Sequence, residues 1–180
     1  MTQSSEGKVV IRDARPEDAA AAGEIAARAW APIREAFTDR LGKDIAAGFG
    51  DMKRSKYDQV HRFITKTPQD AVVAEIDGKI VGFATTHLHS ERDPNTPTGE
   101  LGNNAVHPEF GGRGIGRLQG EACIRKLIER GAKVLKVFTG LDEGHAPARR
   151  LYEKLGFDKK LEHVEYYMTV EHYLEEQKKK

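Results

Sequence analysis

Four glycines crowd one short stretch of the sequence: Gly111, Gly112, Gly114 and Gly116. The stretch lies between a predicted strand and the first turn of a predicted helix. The first amides of a helix have no acceptor within the helix, and the helix dipole favours negative charge at the same end. Glycine lets a bulky anion approach the backbone because it has no Cβ. The pattern therefore predicts a phosphate or pyrophosphate site, to which Arg113 and Arg117 add charge from one helical face.

A flexible loop that leads into a helix is the plain alternative, since a glycine-rich turn alone is weak support for a ligand site. The run lacks the lysine and hydroxyl of the nucleoside-triphosphate loop GxxxxGK(S/T). It also fits a dinucleotide fingerprint poorly, because no strand-turn-helix unit near the N-terminus carries it.

A second stretch that draws attention is HAPARRLYEKLGF, residues 145 to 157. It predicts a short helix capped by Gly156. Its large or apolar side chains recur at i, i+3, i+4 and i+7: Ala148, Leu151, Tyr152 and Leu155. This spacing is typical of a helix with one face on a core.

Both stretches resemble motifs of one known family, the GNAT superfamily of N-acetyltransferases. The superfamily's coenzyme-A-binding motif, usually written (Arg/Gln)-x-x-Gly-x-(Gly/Ala), is similar to VHPEFGGRGIG at 106 to 116. Its later motif, a short helix with an inward alanine and tyrosine that closes on Gly-Phe, is similar to residues 145 to 157. The resemblance covers roughly residues 8 to 170, and two motifs in this order are far more specific than either alone.

The resemblance implies a mixed α/β (α+β) fold with a central mixed, largely antiparallel sheet, helices on both faces and splayed central strands. It implies acetyl-coenzyme A as the acyl donor, with Asn104 near the strand distortion that admits the thioester. The residues implied to bind the coenzyme lie in the two motifs and the strand before the first: Ala105, Val106, Gly111, Gly112, Arg113, Gly114, Ile115, Gly116, Arg117 and His145.

Two positions depart from the family's pattern. Gly111 stands where Arg or Gln is usual, and His145 stands where Asn is common. Because backbone N–H groups hold most of a pyrophosphate, Gly111 weakens a side-chain contact without abolishing the site. His145 puts one contact to the pantetheine arm in doubt.

Tyr152 and Glu100 are the candidate catalytic residues. By the resemblance, Tyr152 protonates the departing thiolate, and Glu100 offers a carboxylate to the acceptor. Each also has a structural interpretation, Tyr152 as a core ring and Glu100 as a solvated residue at a strand edge. An alkyl amine has a pKa of about 10.4, so a base or a water chain must remove its proton at neutral pH.

His87 and His89 share one face of a predicted strand, a spacing that raises the question of a metal. No third ligand lies at a recognisable spacing, so we expect no metal site and take the pair as exposed or acceptor-site histidines. Cys123, the single cysteine, lies among apolar residues and is interpreted as a small buried hydrophobe.

The elements that must position these residues follow from periodicity and turn signals. The most distinct is a hairpin of residues 71–77 and 79–89 around Asp77-Gly78, a dipeptide that favours a tight turn. Other strands are predicted at 8–13, 100–106 and 134–140, with a final β-rich stretch at 157–170. Helices are predicted from Pro16 to about Trp30, from near Asp51, from the glycines to about Arg130, and at 146–155. Residues 90–99 are predicted to be a loop.

Length and charge limit the function. A chain of 180 residues suits one domain, expected at 8–175, with flexible termini at 1–7 and 176–180. A net charge of +1 gives no strong field for nucleic acid or an anionic membrane. No run approaches the roughly 20 apolar residues of a membrane span, and one cysteine forms no internal disulfide. A cytoplasmic protein is the expectation.

We therefore expect an N-acetyltransferase that passes the acetyl group to a primary amine by direct attack in a ternary complex. A small-molecule amine is preferred as acceptor, because the charge offers no dock for a strongly charged peptide. A protein N-terminus or lysine is the second candidate. A GNAT-like module that binds acyl-coenzyme A without turnover is the rival class. The sequence leaves the oligomeric state open, a homodimer included.

Overall fold

The computed structural model describes residues 7–90 and 93–179. The strands are β1 (Val10–Asp13), β2 (Ala71–Ile76), β3 (Lys79–His89), β4 (Thr98–Val106) and β5 (Val134–Val137). The helices are α1 (Ala19–Ala29), α2 (Ala31–Leu41), α3 (Lys43–Ala47), α4 (Met52–Lys66), α5 (Ile115–Glu129), α6 (Ala146–Lys154) and α7 (Val170–Lys178). Residues 1–6 and Lys180 of the predicted flexible termini lie outside the described residues, as do Glu91 and Arg92 of the predicted loop.

The five strands form one sheet in the order β1-β2-β3-β4-β5. The first four pair antiparallel, and β4 pairs with β5 parallel. The predicted hairpin is confirmed as β2 and β3. Asp77 and Gly78 both have positive φ, at 49° and 77°, as a turn of type I′ requires. The sheet is thus mixed and largely antiparallel, as predicted.

Helices cover both faces of this sheet. On one face α1 and α4 pack on the strands through a cluster that includes Ala26, Val60, Ile64 and Phe83. On the other face α5 contributes Cys123 and Leu127 to a second cluster. The interpretation of Cys123 as a buried hydrophobe is confirmed, and burial raises the pKa of its thiol to about 12.

β4 separates from β5 partway along its length. The parallel pairing ends at Leu101 and Val137, whereas β4 continues to Val106. A bulge lies just before this stretch, because Gly102 and Asn103 together stand opposite the single residue Thr85. The predicted splaying of central strands is confirmed, and we call the opening beyond Leu101 and Val137 the gap.

The predicted β-rich stretch at 157–170 is wrong. Residues 157–169 form no strand in the structure, and Val170 begins α7. The predicted strand 134–140 also ends early, at Val137. A strand requires a partner for its backbone groups, and residues 157–169 pair with none of the described strands. Large side chains stay in solvent there, with Leu161 83% and Tyr166 93% exposed.

Within the described residues, every helix is too short or too polar to cross a bilayer.

Candidate active site

The glycine-rich turn, residues 111–116, leads from β4 into α5. Gly112 and Gly114 both have φ of +76°, a left-handed conformation that suits glycine and strains other residues. A Cβ at either position would meet no atom within 4 Å, so the turn is open on that side. Gly114 caps α5, which begins at Ile115. The turn therefore presents its backbone to open space at a helix N-terminus.

Most amides of this turn are available to a ligand. The N–H groups of Gly112, Gly114, Ile115 and Gly116 have no acceptor in the part of the chain that the structure describes. Gly111 differs from the prediction, because its N–H already donates to the carbonyl of Pro108 at 3.1 Å. The amides that are open to a ligand consequently begin at Gly112, one residue later than the motif indicated.

The two predicted arginines make contacts of their own. The Arg113 guanidinium lies 5.3 Å from the centroid of the Phe110 ring, a cation–π geometry. Arg117 Nε donates to Glu121 Oε1 at 2.8 Å, one turn along α5. Arg117 therefore brings a compensated charge to the turn.

The register of β3 and β4 shows which peptide groups face the gap. His107 N–H donates to Val81 O at 2.8 Å, and Ala105 is the next β4 residue in the same phase. Peptide groups alternate in direction along an antiparallel strand, so those of Ala105 face β3. Asn104 and Val106 direct theirs towards the gap, where β4 has no partner among the described strands. The peptide groups open to the gap are thus those of Asn104 and Val106, whereas the prediction named Ala105 and Val106.

Side chains tie this strand to the glycine-rich turn. Asn104 Nδ2 donates to the carbonyl of Gly116 at 3.1 Å, within the first turn of α5. The buried Gln119 Nε2 lies 3.4 Å from the carbonyl of Ala105. The open edge of β4 and the open amides of α5 are therefore held in a fixed relation.

Tyr152 lies on α6 and is 7% exposed. Its ring packs edge-on against Phe157, with centroids 6.2 Å apart. Burial, with a smaller contribution from Cys123, raises the pKa of Tyr152 to about 12. The predicted core position is confirmed, and the hydroxyl keeps its proton at neutral pH.

His145 precedes α6 and pairs with a carboxylate. Its Nδ1 lies 2.6 Å from Asp142 Oδ2. Burial tends to raise the pKa of Asp142, but the hydrogen bonds to its carboxylate and the charge of His145 together outweigh it and leave that pKa lowered. Arg149 binds the same loop by donating to the carbonyls of Gly140 and Asp142, at 2.7 and 2.6 Å. His145 thus helps to order the loop after β5.

Glu100 lies in the paired part of β4. Its Oε2 accepts from Lys136 Nζ at 3.0 Å and lies 3.0 Å from His89 Nε2. Burial tends to raise the pKa of Glu100, but the hydrogen bonds with Lys136 and His89 outweigh it and hold the pKa below its ordinary value. A carboxylate held in this way is a weak base.

Comparison with known proteins decides the family. The model of the Acetyltransferase (GNAT) family matches residues 30–157, well over half of the chain. The chain belongs to the GNAT family. GNAT acetyltransferases use acetyl-coenzyme A, and one structural neighbour was solved with coenzyme A bound.

Relatives with a similar sequence match only part of this chain. A mycothiol acetyltransferase of Thermomonospora curvata is 36% identical over 90 residues, which are 50% of this chain and 28% of that protein. The match therefore spans under a third of the relative's length.

Solved structures share the GNAT fold over most of their length. An N-acetyltransferase from Thermoplasma acidophilum in complex with coenzyme A has a TM-score of 0.64 at 16% identity, and the likeness covers 85% of this chain and 91% of that one. An aminoglycoside acetyltransferase from an uncultured soil sample, in complex with sisomicin, has a TM-score of 0.57 at 17% identity. It covers 90% of this chain and 96% of that one.

A cavity of about 830 Å³ lies beside α4, on the face of the sheet opposite to the face that α5 covers. His87 and Phe63 line this cavity. His87 stands opposite Glu100 in the register of β3 and β4. The cavity also holds three carboxylates and three basic groups: Asp51, Asp58, Asp70, Arg54, Arg62 and Lys66. The described residues contain no group of three or more His, Cys, Asp or Glu that could hold a metal ion.

The same face of the sheet carries a side-chain cluster that the sequence did not predict. Its members are Trp30, Lys56, Gln59 and Asn103. Lys56 Nζ lies 2.6 Å from Asn103 Oδ1 and 4.2 Å from the Trp30 ring centroid. One signal was available: Lys56 stands four residues before the core residue Val60, in line with the apolar stripe of α4.

Proposed function

We propose that this chain is an acetyl-coenzyme A dependent N-acetyltransferase that acts on a primary amine, preferably of a small molecule. One observation supports it above the others. The open amides of the glycine-rich turn and the open peptide groups of β4 are joined by the bond from Asn104 to Gly116. A single extended ligand that carries a pyrophosphate at one end and amides in its arm suits this pair of sites.

Each residue set has one role in this proposal. The N–H groups of Gly112, Gly114, Ile115 and Gly116 bind the pyrophosphate. Asn104 and Val106 pair with the pantetheine arm in the gap, and the amide of Val106 polarises the thioester carbonyl. Residues 8–175 form one domain with this activity, a range that encloses the match to the family model.

The acceptor approaches from the face of the sheet covered by α1 and α4. The cavity beside α4 opens on this face, and its lining of both acidic and basic groups suits a polar amine. The amine attacks the thioester carbonyl directly, the C–S bond breaks, and the thiolate leaves. Tyr152 supplies the proton to this thiolate, since it stays protonated at neutral pH.

A small-molecule acceptor agrees with the net charge of +1 and with the presence of a mycothiol and an aminoglycoside acetyltransferase among the similar proteins. A protein N-terminus or lysine remains the second acceptor class. The experiment is to incubate the protein with acetyl-coenzyme A and panels of small amines and peptides. Free thiol is followed spectroscopically and the acetylated product by mass.

Thiol release that depends on one amine supports transfer and names the class. Binding of acetyl-coenzyme A without turnover of any amine or peptide contradicts transfer and favours the rival, a non-catalytic acyl-coenzyme A binding module.

A further inference from the structure

Lys56 is a half-buried lysine with no carboxylate partner among the described residues. Its Nζ donates to Asn103 Oδ1 at 2.6 Å and to Gln59 Oε1 at 3.0 Å, and it lies over the face of Trp30. All three contacts, from β4, α4 and the end of α1, are to uncharged groups. Most protein lysines stay in water or pair with an acid, so this placement calls for a role.

Burial favours the neutral form of Lys56. Burial is the one cause of its shift and lowers the pKa of its ammonium from 10.5 to about 8. At neutral pH a tenth or so of such a group is unprotonated, by a pKa difference of about one unit. A base works best when its pKa lies close to the working pH.

Lys56 also lies beside the reacting end of the gap. Asn103, which holds Lys56 Nζ, is a bulge residue and immediately precedes Asn104, whose peptide group faces the gap. Trp30 marks the junction of α1 and α2, on the same face of the sheet. The ε-amine of Lys56 therefore lies on this face of the sheet, against the residue of β4 that precedes the gap-facing Asn104.

Glu100 is the other candidate on this face, and the structure places it less well. Its carboxylate is bound by Lys136 and His89, which hold its pKa low. It also lies before the bulge, where β4 is still paired with β5. Lys56 contacts Asn103, which lies beyond that pairing, and has no counter-ion among the described residues to hold it charged.

We propose that Lys56 is the catalytic base that takes the proton from the acceptor's ammonium group, a role that rests on the proposed acetyl transfer. The lone pair of neutral Lys56 Nζ accepts one proton from R–NH₃⁺. The resulting R–NH₂ forms the C–N bond as the C–S bond breaks, and the thiolate takes a proton from Tyr152. The second proton that the nitrogen loses on becoming an amide passes through solvent to Tyr152 and restores its hydroxyl. Lys56 then returns its proton to solvent, so one proton is released per acetyl group transferred.

The first test is kinetic, with the fastest acceptor from the amine panel. Lys56→Met keeps the length of the side chain and removes the base, so kcat/KM at pH 7.5 should fall by about 10²–10⁴-fold with acetyl-coenzyme A affinity unchanged. Lys56→Arg keeps a cation over Trp30 but cannot lose its proton. The kcat/KM of Lys56→Arg should fall by a similar factor, whereas a purely structural role of Lys56 predicts that this variant retains activity.

Lys53→Met is the matched control, because Lys53 is exposed on the same helix. Its kcat/KM should stay within twofold of wild type. Activity of Lys56→Met or Lys56→Arg within threefold of wild type overturns the proposal while leaving acetyl transfer intact.

The pH profile separates Lys56 from the acceptor's own ionisation. Because the base must be neutral, kcat/KM of the wild type should rise with pH and level off above about 8, at the same pH for acceptors of different pKa. Lys56→Cys alkylated with bromoethylamine restores an amine whose pKa the thioether lowers. Activity should return with the rise moved to lower pH. Cys123 stays unmodified because its thiol is buried.

A direct titration decides the question even if every amine fails as acceptor. In protein labelled with ε-¹³C lysine, the Lys56 signal, assigned by its loss in Lys56→Met, should titrate near pH 8. The Lys53 signal should titrate near the ordinary value of about 10.4. A Lys56 that titrates above pH 10 overturns the proposal, whereas failure of all acceptors alongside a titration near 8 counts against transfer alone.

Discussion

Tyr152 has a packing role in the structure and a proposed role in the chemistry. Its ring lies in the core next to Phe157, and the same burial raises the pKa of its hydroxyl to about 12. Packing alone would therefore select the residue. The two interpretations separate only when the hydroxyl is removed and the ring is kept.

In Tyr152→Phe we expect turnover to fall by about 10²–10⁴-fold, with acetyl-coenzyme A affinity and melting temperature nearly unchanged. Since the wild-type hydroxyl loses its proton only near pH 12, the acid should stay active throughout the neutral and mildly alkaline range. Steady-state kinetics and calorimetry provide the measurements. Tyr173→Phe, an exposed tyrosine on α7, is the control. Turnover within about twofold of wild type, with chemistry rate-limiting, would leave Tyr152 a core residue only.

Gly114 allows a test of the anion site with its own strain control. Gly114→Val places a branched side chain on the open side of the turn at φ +76°, and Gly131→Val imposes the same kind of strain at φ +92° beyond the other end of α5. Each variant should lose about 1–2 kcal/mol of stability, because a left-handed residue with a Cβ is disfavoured.

Only Gly114→Val should also lose affinity for coenzyme A, by tenfold or more in calorimetric titration, since its side chain obstructs the pyrophosphate. Equal affinities in the two variants would place the pyrophosphate elsewhere.

At the scale of elements, the Asn104 side chain connects β4 to α5. Asn104→Leu keeps the side-chain volume and removes the donor to Gly116. We expect a loss of about 1 kcal/mol of stability, because one side-chain hydrogen bond is removed. Thr67→Val removes a comparable bond, from its Oγ1 to the carbonyl of Phe63, at the end of α4.

The two variants should lose similar stability in urea unfolding, but only Asn104→Leu should weaken coenzyme A binding. If Thr67→Val weakened it equally, the bond from Asn104 would have no special part in the site.

Sequence signals predicted best where short-range chemistry determines the backbone. The hairpin at Asp77-Gly78 and the start of α5 at the glycines both depend on positive φ that glycine permits. The prediction of a β-rich stretch at 157–170 was wrong, because a β-rich composition does not supply a strand with which to pair. The direction of the Ala105 peptide groups could not be predicted for a related reason, since it depends on the register with β3. The contacts of Lys56 could not be predicted, because they depend both on how α4 packs on the sheet and on the register of β3 and β4.

At the scale of the whole molecule, a ligand that binds only the folded state raises its stability. At a concentration one hundred times its Kd, acetyl-coenzyme A should add about 2.7 kcal/mol. For a chain of this size that is a rise of about 5–10 °C in melting temperature. Differential scanning fluorimetry with millimolar acetyl-coenzyme A measures it, with adenosine as a control that lacks the pyrophosphate. A melting temperature that stays unchanged would count against the assignment.

The bulge at Gly102 and Asn103 determines which insertions and deletions the gene can tolerate. Before the bulge Leu101 packs towards α5, and after it Ala105 packs towards α1 and α4, although the two are four positions apart in the sequence. In a regular strand residues four apart would share a face. Loss of one codon at the bulge would therefore turn Asn104 away from the glycine-rich turn and Ala105 towards it. The same loss in the loop at 93–97 would leave both faces as they are, so two deletions a few codons apart would have opposite consequences.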